Sequence, residues 1–245
     1  MPLTRRHFAA LAAGLLAAPR GAGAQTARGP AVVELFTSQG CSSCPPADAL
    51  MGQLAQDAGV IPLTWPVEIW DYLGWRDTLA KPAFTARQRA YAAAIARKRI
   101  YTPQAIVNGR ADCVGSDRSS IARLGNATAS ASGQRLALAD RADGWVAMPP
   151  PGGAGARAIL VPLATSVTVP IGRGENAGRT ITYANVARDL RDLGPVSESR
   201  PITLARADVA AEGANGFALL IQAGSLAQPG EIIAGGYCDP AGIKA

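Results

Sequence analysis

Two cysteines separated by two residues carry the clearest chemical signal in the chain. Cys41 and Cys44 follow an apolar run that predicts a strand and precede residues that predict a helix. Because a helix N-terminus favours an anion, this position favours a thiolate on Cys41. Cys41 would then attack a disulfide, and Cys44 would resolve the mixed disulfide. The spacing predicts a redox-active dithiol; a static structural disulfide and half of a zinc site are the alternatives.

The elements that must position this pair follow a recognisable order. A β-branched and aromatic run at 32–37 predicts a strand, Pro45 and Pro46 open a helix, and residues 60–68 predict a second strand. A helix near 84–99, strands at 102–107 and 111–114 and a helix after Asp117 complete the pattern. The order β-α-β-α-β-β-α over residues 30–132 is the thioredoxin topology.

The second half of the chain has a different pattern. Residues 134–245 contain several short apolar or alternating runs separated by Gly and Pro turns, although residues 183–193 fit either a helix or a strand. The expected fold class is therefore an α/β thioredoxin-like domain over 30–132, followed by a smaller all-β, sandwich-like domain over 134–245.

The first 24 residues have the features of a signal peptide. Arg5 and Arg6 precede an apolar stretch at 9–18, and the small residues 22–24 resemble a cleavage site. The paired arginines favour a twin-arginine signal, with a general secretory signal as the alternative. The stretch is too short for a permanent membrane span. We therefore expect a periplasmic or secreted protein.

Removal of this segment changes the chemistry that the chain can carry out. The net charge falls from +6 to +3 because Arg5, Arg6 and Arg20 leave without any acidic residue, which weakens a nucleic-acid interpretation. The only histidine, His7, is also lost. Histidine-based catalysis and histidine metal ligands are thereby excluded, and we expect neither a metal site nor a cofactor.

Two further cysteines lie far from the first pair in the sequence. An exported chain with four cysteines is expected to be mostly oxidised. If Cys41 pairs with Cys44, then Cys113 is left with Cys238, and that disulfide would join the first half to the C-terminus. The alternative is two separate buried thiols.

Several motifs resemble one family along nearly the whole mature chain. Residues 33–48, Val-Glu-Leu-Phe-Thr-Ser-Gln-Gly-Cys-Ser-Ser-Cys-Pro-Pro-Ala-Asp, resemble the opening of the domain of unknown function 1223 family of exported bacterial proteins. Further matches lie at 70–75, 85–91, 101–104, 107–109, 114–118 and 174–180. The resemblance implies a thioredoxin-like domain with an appended β domain and no established activity. Pro66-Val67-Glu68 stands where the family usually shows His-Val-Asp.

Three positions are expected to support the dithiol. Pro103 falls where thioredoxin-like proteins place a cis-proline, and that geometry would present the backbone of Thr102 to a substrate chain beside Cys41. Glu34, a carboxylate within an apolar strand, could accept the proton of Cys44. The alternatives are an ordinary trans proline and a Glu34 at the sheet edge or paired with an arginine.

Two other polar or aromatic groups are candidates for contacts with the dithiol. Trp70, Tyr72 and Trp75 could line a substrate groove or form a hydrophobic plug. The Gly-rich turn that contains Glu175, Asn176 and Arg179 could contact the redox face or only shape the turn.

Thiol–disulfide exchange, with exported proteins or thiols as substrates, is the leading functional hypothesis. A binding module with a structural disulfide is the second, and a Cu(I)-binding protein, for which two thiolates alone are an incomplete ligand set, is the third.

Overall fold

The computed structural model describes residues 29–96, 99–128, 134–239 and 242–243. The predicted signal peptide lies outside these residues. The strands, in chain order, are β1 (Ala31–Thr37), β2 (Val60–Pro66), β3 (Gln104–Val107), β4 (Ala111–Val114), β5 (Gln134–Arg135), β6 (Leu138–Arg141), β7 (Gly144–Ala147), β8 (Arg157–Pro170), β9 (Thr180–Ala187), β10 (Arg191–Pro195), β11 (Ile202–Ala205), β12 (Gly216–Gly224), β13 (Pro229–Asp239) and β14 (Gly242–Ile243). The helices are α1 (Pro45–Leu54), α2 (Pro82–Ala94) and α3 (Arg118–Thr128), with a short 3-10 helix at Asp71–Leu73.

Most of the strands form one mixed sheet that runs through both halves of the chain. Its order is β14-β13-β12-β8-β9-β2-β1-β3-β4, with β10 paired to β8 and β5 paired to β13, which gives 11 strands. β1 is parallel to β2 and antiparallel to β3. A second sheet contains three strands in the order β11-β7-β6.

The predicted fold class, an α/β thioredoxin-like domain followed by a separate small all-β domain, is wrong. The described chain is mostly β, and β9 of the second half pairs with β2 of the first half at Thr64 and Val186. Proline residues within β2 lack the N–H that a sheet ladder needs. Side chains bond β2 to β9 at this junction: Asn185 Nδ2 donates to the Pro62 carbonyl at 3.0 Å, and Thr64 Oγ1 donates to the Ala184 carbonyl at 2.7 Å.

The side chains of β1 alternate between two apolar clusters, as a central strand requires. Val33 and Leu35 pack with apolar residues of α1 and α3. Val32 and Phe36 pack on the opposite face with residues of α2, β2 and β13. Apolar clusters thus cover both faces of β1. The loop that follows β1 contains the two closely spaced cysteines.

No helix in the described ranges combines the length and hydropathy of a membrane span.

Candidate functional site

Cys41 and Cys44 form a disulfide at the junction between β1 and α1, with their Cα atoms 5.4 Å apart. The Cys44 N–H donates to the Cys41 carbonyl at 3.2 Å, which closes a tight turn. Cys44 is the N-cap of α1, and its carbonyl accepts hydrogen bonds from the N–H groups of Ala47 and Asp48. The sequence thus places both sulfur atoms at a helix N-terminus.

The first turn of α1 offers few free donors to a thiolate. Pro45 and Pro46 have no N–H group, and the next two N–H groups are bonded to the Cys44 carbonyl. Stabilisation of a Cys41 thiolate at this position therefore depends on the helix dipole and on the hydroxyl of Ser43, whose Oγ lies 3.3 Å from Cys41 Sγ.

The two sulfur residues differ little in exposure, and both are buried. Cys41 is 5% exposed and Cys44 is 0% exposed, whereas Ser42 and Ser43 between them are exposed. A dithiol that attacks substrate disulfides, as the sequence predicts, would be expected to face solvent. The structure instead leaves only a small part of Cys41 at the surface, because a turn from the second half of the chain covers it.

That covering turn is the Gly-rich segment 171–179. Asn176 is buried, and its Nδ2 donates to the carbonyls of Gln39 at 2.9 Å and Cys41 at 2.8 Å. The exposed Glu175 accepts a hydrogen bond from the Ser42 N–H at 3.2 Å, and contact with Ser42 lowers the pKa of this carboxyl. The predicted contact of this turn with the cysteine loop is confirmed for Glu175 and Asn176, whereas the backbone of Arg179 bonds Ile171 and Asn176 within the turn itself.

The Thr102–Pro103 peptide bond is cis, as predicted. Pro103 is buried, and its carbonyl accepts the N–H of Gly115 at 2.9 Å. A Cβ atom built on Gly115 would lie 3.1 Å from Pro103 Cβ and 3.3 Å from Ala47 Cβ. The cis-proline therefore lies on the same side of the sheet as α1, next to the first turn that follows Cys44.

Two of the three predicted aromatic residues contact the loops of the site. Trp70 Nε1 donates to Thr102 Oγ1 at 2.6 Å, and a Cβ on Gly40 would lie 3.1 Å from Trp70 Cβ. Trp70 thus connects the residue before Cys41 with the residue before the cis-proline. Trp75 Nε1 donates to Gln39 Oε1 at 2.8 Å.

Tyr72 is the aromatic residue that faces solvent. Its exposed fraction is 75%, and its ring centroid lies 6.1 Å from that of Trp70. A groove built from all three rings stays a prediction.

Glu34 lies on the other face of the sheet, away from α1. It is 0% exposed and pairs with Arg87, whose Nε lies 2.7 Å from Glu34 Oε1, and Tyr91 donates its hydroxyl to Glu34 Oε2. Arg87 also donates to Gln222 Oε1 at 3.1 Å. The alternative that Glu34 pairs with an arginine is confirmed, and its predicted role as proton acceptor for Cys44 is corrected, because strand alternation directs its side chain to the α2 face.

A different buried carboxylate, Asp48, lies on the cysteine side of the sheet. It is 2% exposed, and its Oδ1 accepts a hydrogen bond from Thr37 Oγ1 at 2.7 Å. Its Oδ2 is buried and has no hydrogen-bond partner among the described residues. Burial raises the pKa of Asp48 to about 7, while the Thr37 hydrogen bond opposes this shift.

The sequence did not predict that Asp48 is buried on the cysteine side of the sheet. Acidic residues are common in the first turn of a helix, because a negative charge interacts favourably with the helix dipole. An acidic residue at position 48 therefore does not by itself indicate a function. The available signal was spacing: Asp48 follows Cys44 by four residues and lies beside Ala47 and Met51 in the apolar stripe of α1.

Two more titratable residues are close to Asp48. Asp77 is buried, and desolvation raises its pKa to about 6 although backbone N–H groups donate to both of its carboxylate oxygens. Tyr183 on β9 is also buried, its hydroxyl has no partner among the described residues, and burial together with Asp48 and Asp77 raises its pKa. The second half of the chain thus contributes to the surroundings of the dithiol.

The predicted Cys113–Cys238 disulfide is not formed; both thiols are free. Cys113 lies on β4 beside the α1–α3 cluster, and Cys238 lies on β13 in a different apolar cluster. Burial raises the pKa of Cys113 to about 11 and raises that of Cys238. The alternative of two separate thiols is therefore correct, although only Cys238 is buried and Cys113 is partly exposed.

Within the described part of the chain, no group of three or more His, Cys, Asp or Glu residues has an arrangement that could hold a metal ion.

Comparison with known proteins identifies the family. The family described as "Protein of unknown function (DUF1223)" matches residues 32–222. The chain belongs to this family. The match includes both cysteines, Asp48, the cis-proline and the covering turn of this DUF1223 protein.

Two solved structures are similar to the DUF1223 chain. Protein AGR_C_4864 from Agrobacterium tumefaciens is 31% identical, with a TM-score of 0.73, and the alignment covers 84% of this chain and 92% of that one. HBP35 of Porphyromonas gingivalis is 13% identical, with a TM-score of 0.57 and coverage of 86% and 75%, which indicates a shared fold only. No curated protein matches the chain.

Proposed function

We propose that this DUF1223 protein is an exported thiol–disulfide oxidoreductase that uses Cys41 as its nucleophile and Cys44 as its resolving thiol. The observation that carries the proposal is the Cys41–Cys44 disulfide at the N-terminus of α1, with a cis-proline beside the same helix. Reduction of this disulfide requires little backbone movement, since its Cα atoms are 5.4 Å apart. The substrates would be disulfides or thiols of proteins in the periplasm or outside the cell.

A small difference in exposure between Cys41 and Cys44 supports these two roles. Cys41 retains a small exposed surface, so a substrate sulfur reaches Cys41 before it reaches the enclosed Cys44. In the reductive direction, the Cys41 thiolate attacks a substrate disulfide, forms a mixed disulfide and releases one substrate thiolate. Cys44 then attacks Cys41 Sγ, which restores the internal disulfide and releases the second substrate thiol.

A second candidate function has one observation in its favour. Asn176 and Glu175 hold the cysteine loop through three hydrogen bonds. Both cysteines are buried, with exposed fractions of 5% for Cys41 and 0% for Cys44. Such a restrained disulfide suits a structural clip in a binding module. The two functions differ in the reactivity of Cys41.

The decisive experiment compares wild-type protein with Cys41→Ser and Cys113→Ser in a disulfide-reduction assay with insulin, together with the reduction potential of the wild-type pair. An oxidoreductase should accelerate insulin reduction, lose this activity in Cys41→Ser, and keep it in Cys113→Ser, because the free Cys113 lies outside the pair. Its Cys41 should titrate well below the free value of about 8.5. A disulfide that resists reduction, with no low-pKa thiol after forced reduction, would instead establish the structural clip.

A further inference from the structure

We propose that Asp48 accepts the proton of the Cys44 thiol when Cys44 attacks a mixed disulfide on Cys41. The inference rests on the proposed oxidoreductase function and adds the group that activates its second step. Cys44 is fully enclosed, so its proton needs an acceptor inside the protein before a thiolate can form.

The position of Asp48 on α1 supports this role. Its backbone N–H donates to the Cys44 carbonyl at 3.1 Å, so the two residues are one helical turn apart. In a helix the Cα–Cβ bond tilts toward the N-terminus, and a side chain covers the turn before its own Cα. The carboxyl of Asp48 therefore extends toward the Cys44 end of the helix, where Thr37 fixes its Oδ1 at the end of β1.

Hydrogen bonding distinguishes Asp48 from the other carboxylates nearby. The oxygens of Asp77 accept N–H groups from Gln39 at 2.8 Å, Leu79 at 2.9 Å and Ala80 at 3.1 Å. Glu34 faces the opposite side of the sheet and is neutralised by Arg87. On the α1 face of the sheet, by contrast, Asp48 Oδ2 is a buried carboxylate oxygen without a hydrogen-bond partner among the described residues.

The groups that face Asp48 keep it near the point of ionisation. Burial is the main cause that raises the pKa of Asp48 to about 7; the hydrogen bond from Thr37 lowers this pKa, and repulsion by Asp77 adds to the rise. Tyr183 is the titratable side chain that β9 contributes, and β2 carries none. A base with a pKa near the working pH is both available as the carboxylate and strong enough to take a proton.

The second step transfers one proton and exchanges one S–S bond for another. Asp48 takes the proton from Cys44, the Cys44 thiolate attacks Cys41 Sγ, and the bond between Cys41 and the substrate sulfur breaks. The electron pair leaves on the substrate thiolate, which takes up a proton from water. The protein dithiol is oxidised to its disulfide and the substrate disulfide is reduced.

The test follows the two steps separately with reduced protein and an aryl disulfide whose released thiolate absorbs visible light. The first release reports attack by Cys41, and the second reports attack by Cys44; Cys44→Ser identifies the second by its loss. We expect the second rate in wild type to rise through a break near pH 7, where Asp48 ionises. Asp48→Asn should lose this break and slow the second step by about 100-fold, as for loss of a general base.

Two further variants keep the test informative if Asp48→Asn folds poorly. Thr37→Val removes the hydrogen bond that lowers the pKa of Asp48, so the break should move to higher pH. Asp57→Asn removes an exposed carboxylate just after α1 and should match wild type. An unchanged second step in Asp48→Asn, or an unmoved break in Thr37→Val, overturns the inference alone. Absence of the first, Cys41-dependent release overturns the proposed function as well.

Discussion

The side-chain nitrogen of Asn176 lies 2.8 Å from the carbonyl oxygen of Cys41, although 135 residues separate them in the sequence. The same Nδ2 also bonds the Gln39 carbonyl, so one buried amide fixes the backbone on both sides of Gly40. The conformation of the cysteine loop is therefore set jointly by the two halves of the chain.

Replacement of Asn176 by alanine should loosen the cysteine loop. The change removes two buried hydrogen bonds and leaves two carbonyls without their donor, so we expect the free energy of unfolding to fall by about 1 to 3 kcal/mol. Reduction of the Cys41–Cys44 disulfide by a small thiol should become several times faster. Urea unfolding and a stopped-flow reduction assay measure the two effects. The matched control is Asn126→Ala on the exposed side of α3; equal behaviour of both variants contradicts the prediction.

Loss of the Arg87 charge should destabilise the fold. In Arg87→Met the carboxylate of Glu34 stays fully buried without its cation, and we expect a loss of about 3 to 5 kcal/mol in the free energy of unfolding. The double variant Glu34→Leu/Arg87→Met should regain most of this, because no unpaired charge is left. Arg157→Met, at a partly exposed pair with Asp192, should lose less than about 1 kcal/mol. A double variant no more stable than Arg87→Met argues against this account.

The stability of the protein should depend on the ionisation of Asp48. Its pKa is about 7 in the folded protein and 3.8 in the reference state, so the folded state holds the proton more tightly. Stability is therefore lost as the pH rises from about 4 to about 7. Asp48→Asn should match wild type near pH 4 and exceed its free energy of unfolding by up to ~4 kcal/mol near pH 8. Urea titrations across this range check the prediction, and parallel curves for both proteins would refute it.

A methyl group at Gly115 should disturb the contact between the cis-proline and α1. The added Cβ would lie 3.1 Å from Pro103 Cβ, 3.3 Å from Ala47 Cβ and closer still to Leu35 Cδ1. We expect Gly115→Ala to lose about 1 to 3 kcal/mol of stability, as overpacked cores do. Gly52→Ala is the control, since no atom beyond the neighbouring backbone of its own helix lies within 4 Å of its Cβ, and it should gain about 0.5 to 1 kcal/mol from helix propensity. In thermal unfolding, we expect Gly115→Ala to have a lower Tm than wild type and Gly52→Ala a higher one.

Local features of the site could be predicted from the sequence because they depend on neighbours in the chain. The apolar run before Cys41, the prolines after Cys44 and the Thr102–Pro103 step each have a local signature, and the structure has them as a strand, a helix start and a cis bond. The second predicted helix was too long at its C-terminus: α2 ends at Ala94.

The pairing of strands across the chain could not be predicted in this way. The junction between β2 and β9 consists of one backbone pair and of side-chain bonds from Thr64 and Asn185, and none of these has a sequence signature. The ambiguous segment 183–193 illustrates the same limit, because pairing with β8 makes it parts of two strands. The face of the sheet on which the Glu34 and Asp48 carboxyls lie likewise depends on how the helices pack, which no local pattern in the sequence shows.

Because both halves of the chain contribute to the site, its two parts must change together when related sequences diverge or recombine. The sulfur atoms come from one stretch of the gene, whereas the amide that holds their loop and the phenol near Asp48 are encoded more than a hundred codons later. A chimaera that joins the front of one relative to the back of another would separate partners that must fit each other. Exchange of segments 171–187 together with 37–48 should preserve the free energy of unfolding better than exchange of either segment alone, because both partners of the Asn176 hydrogen bonds then come from one relative.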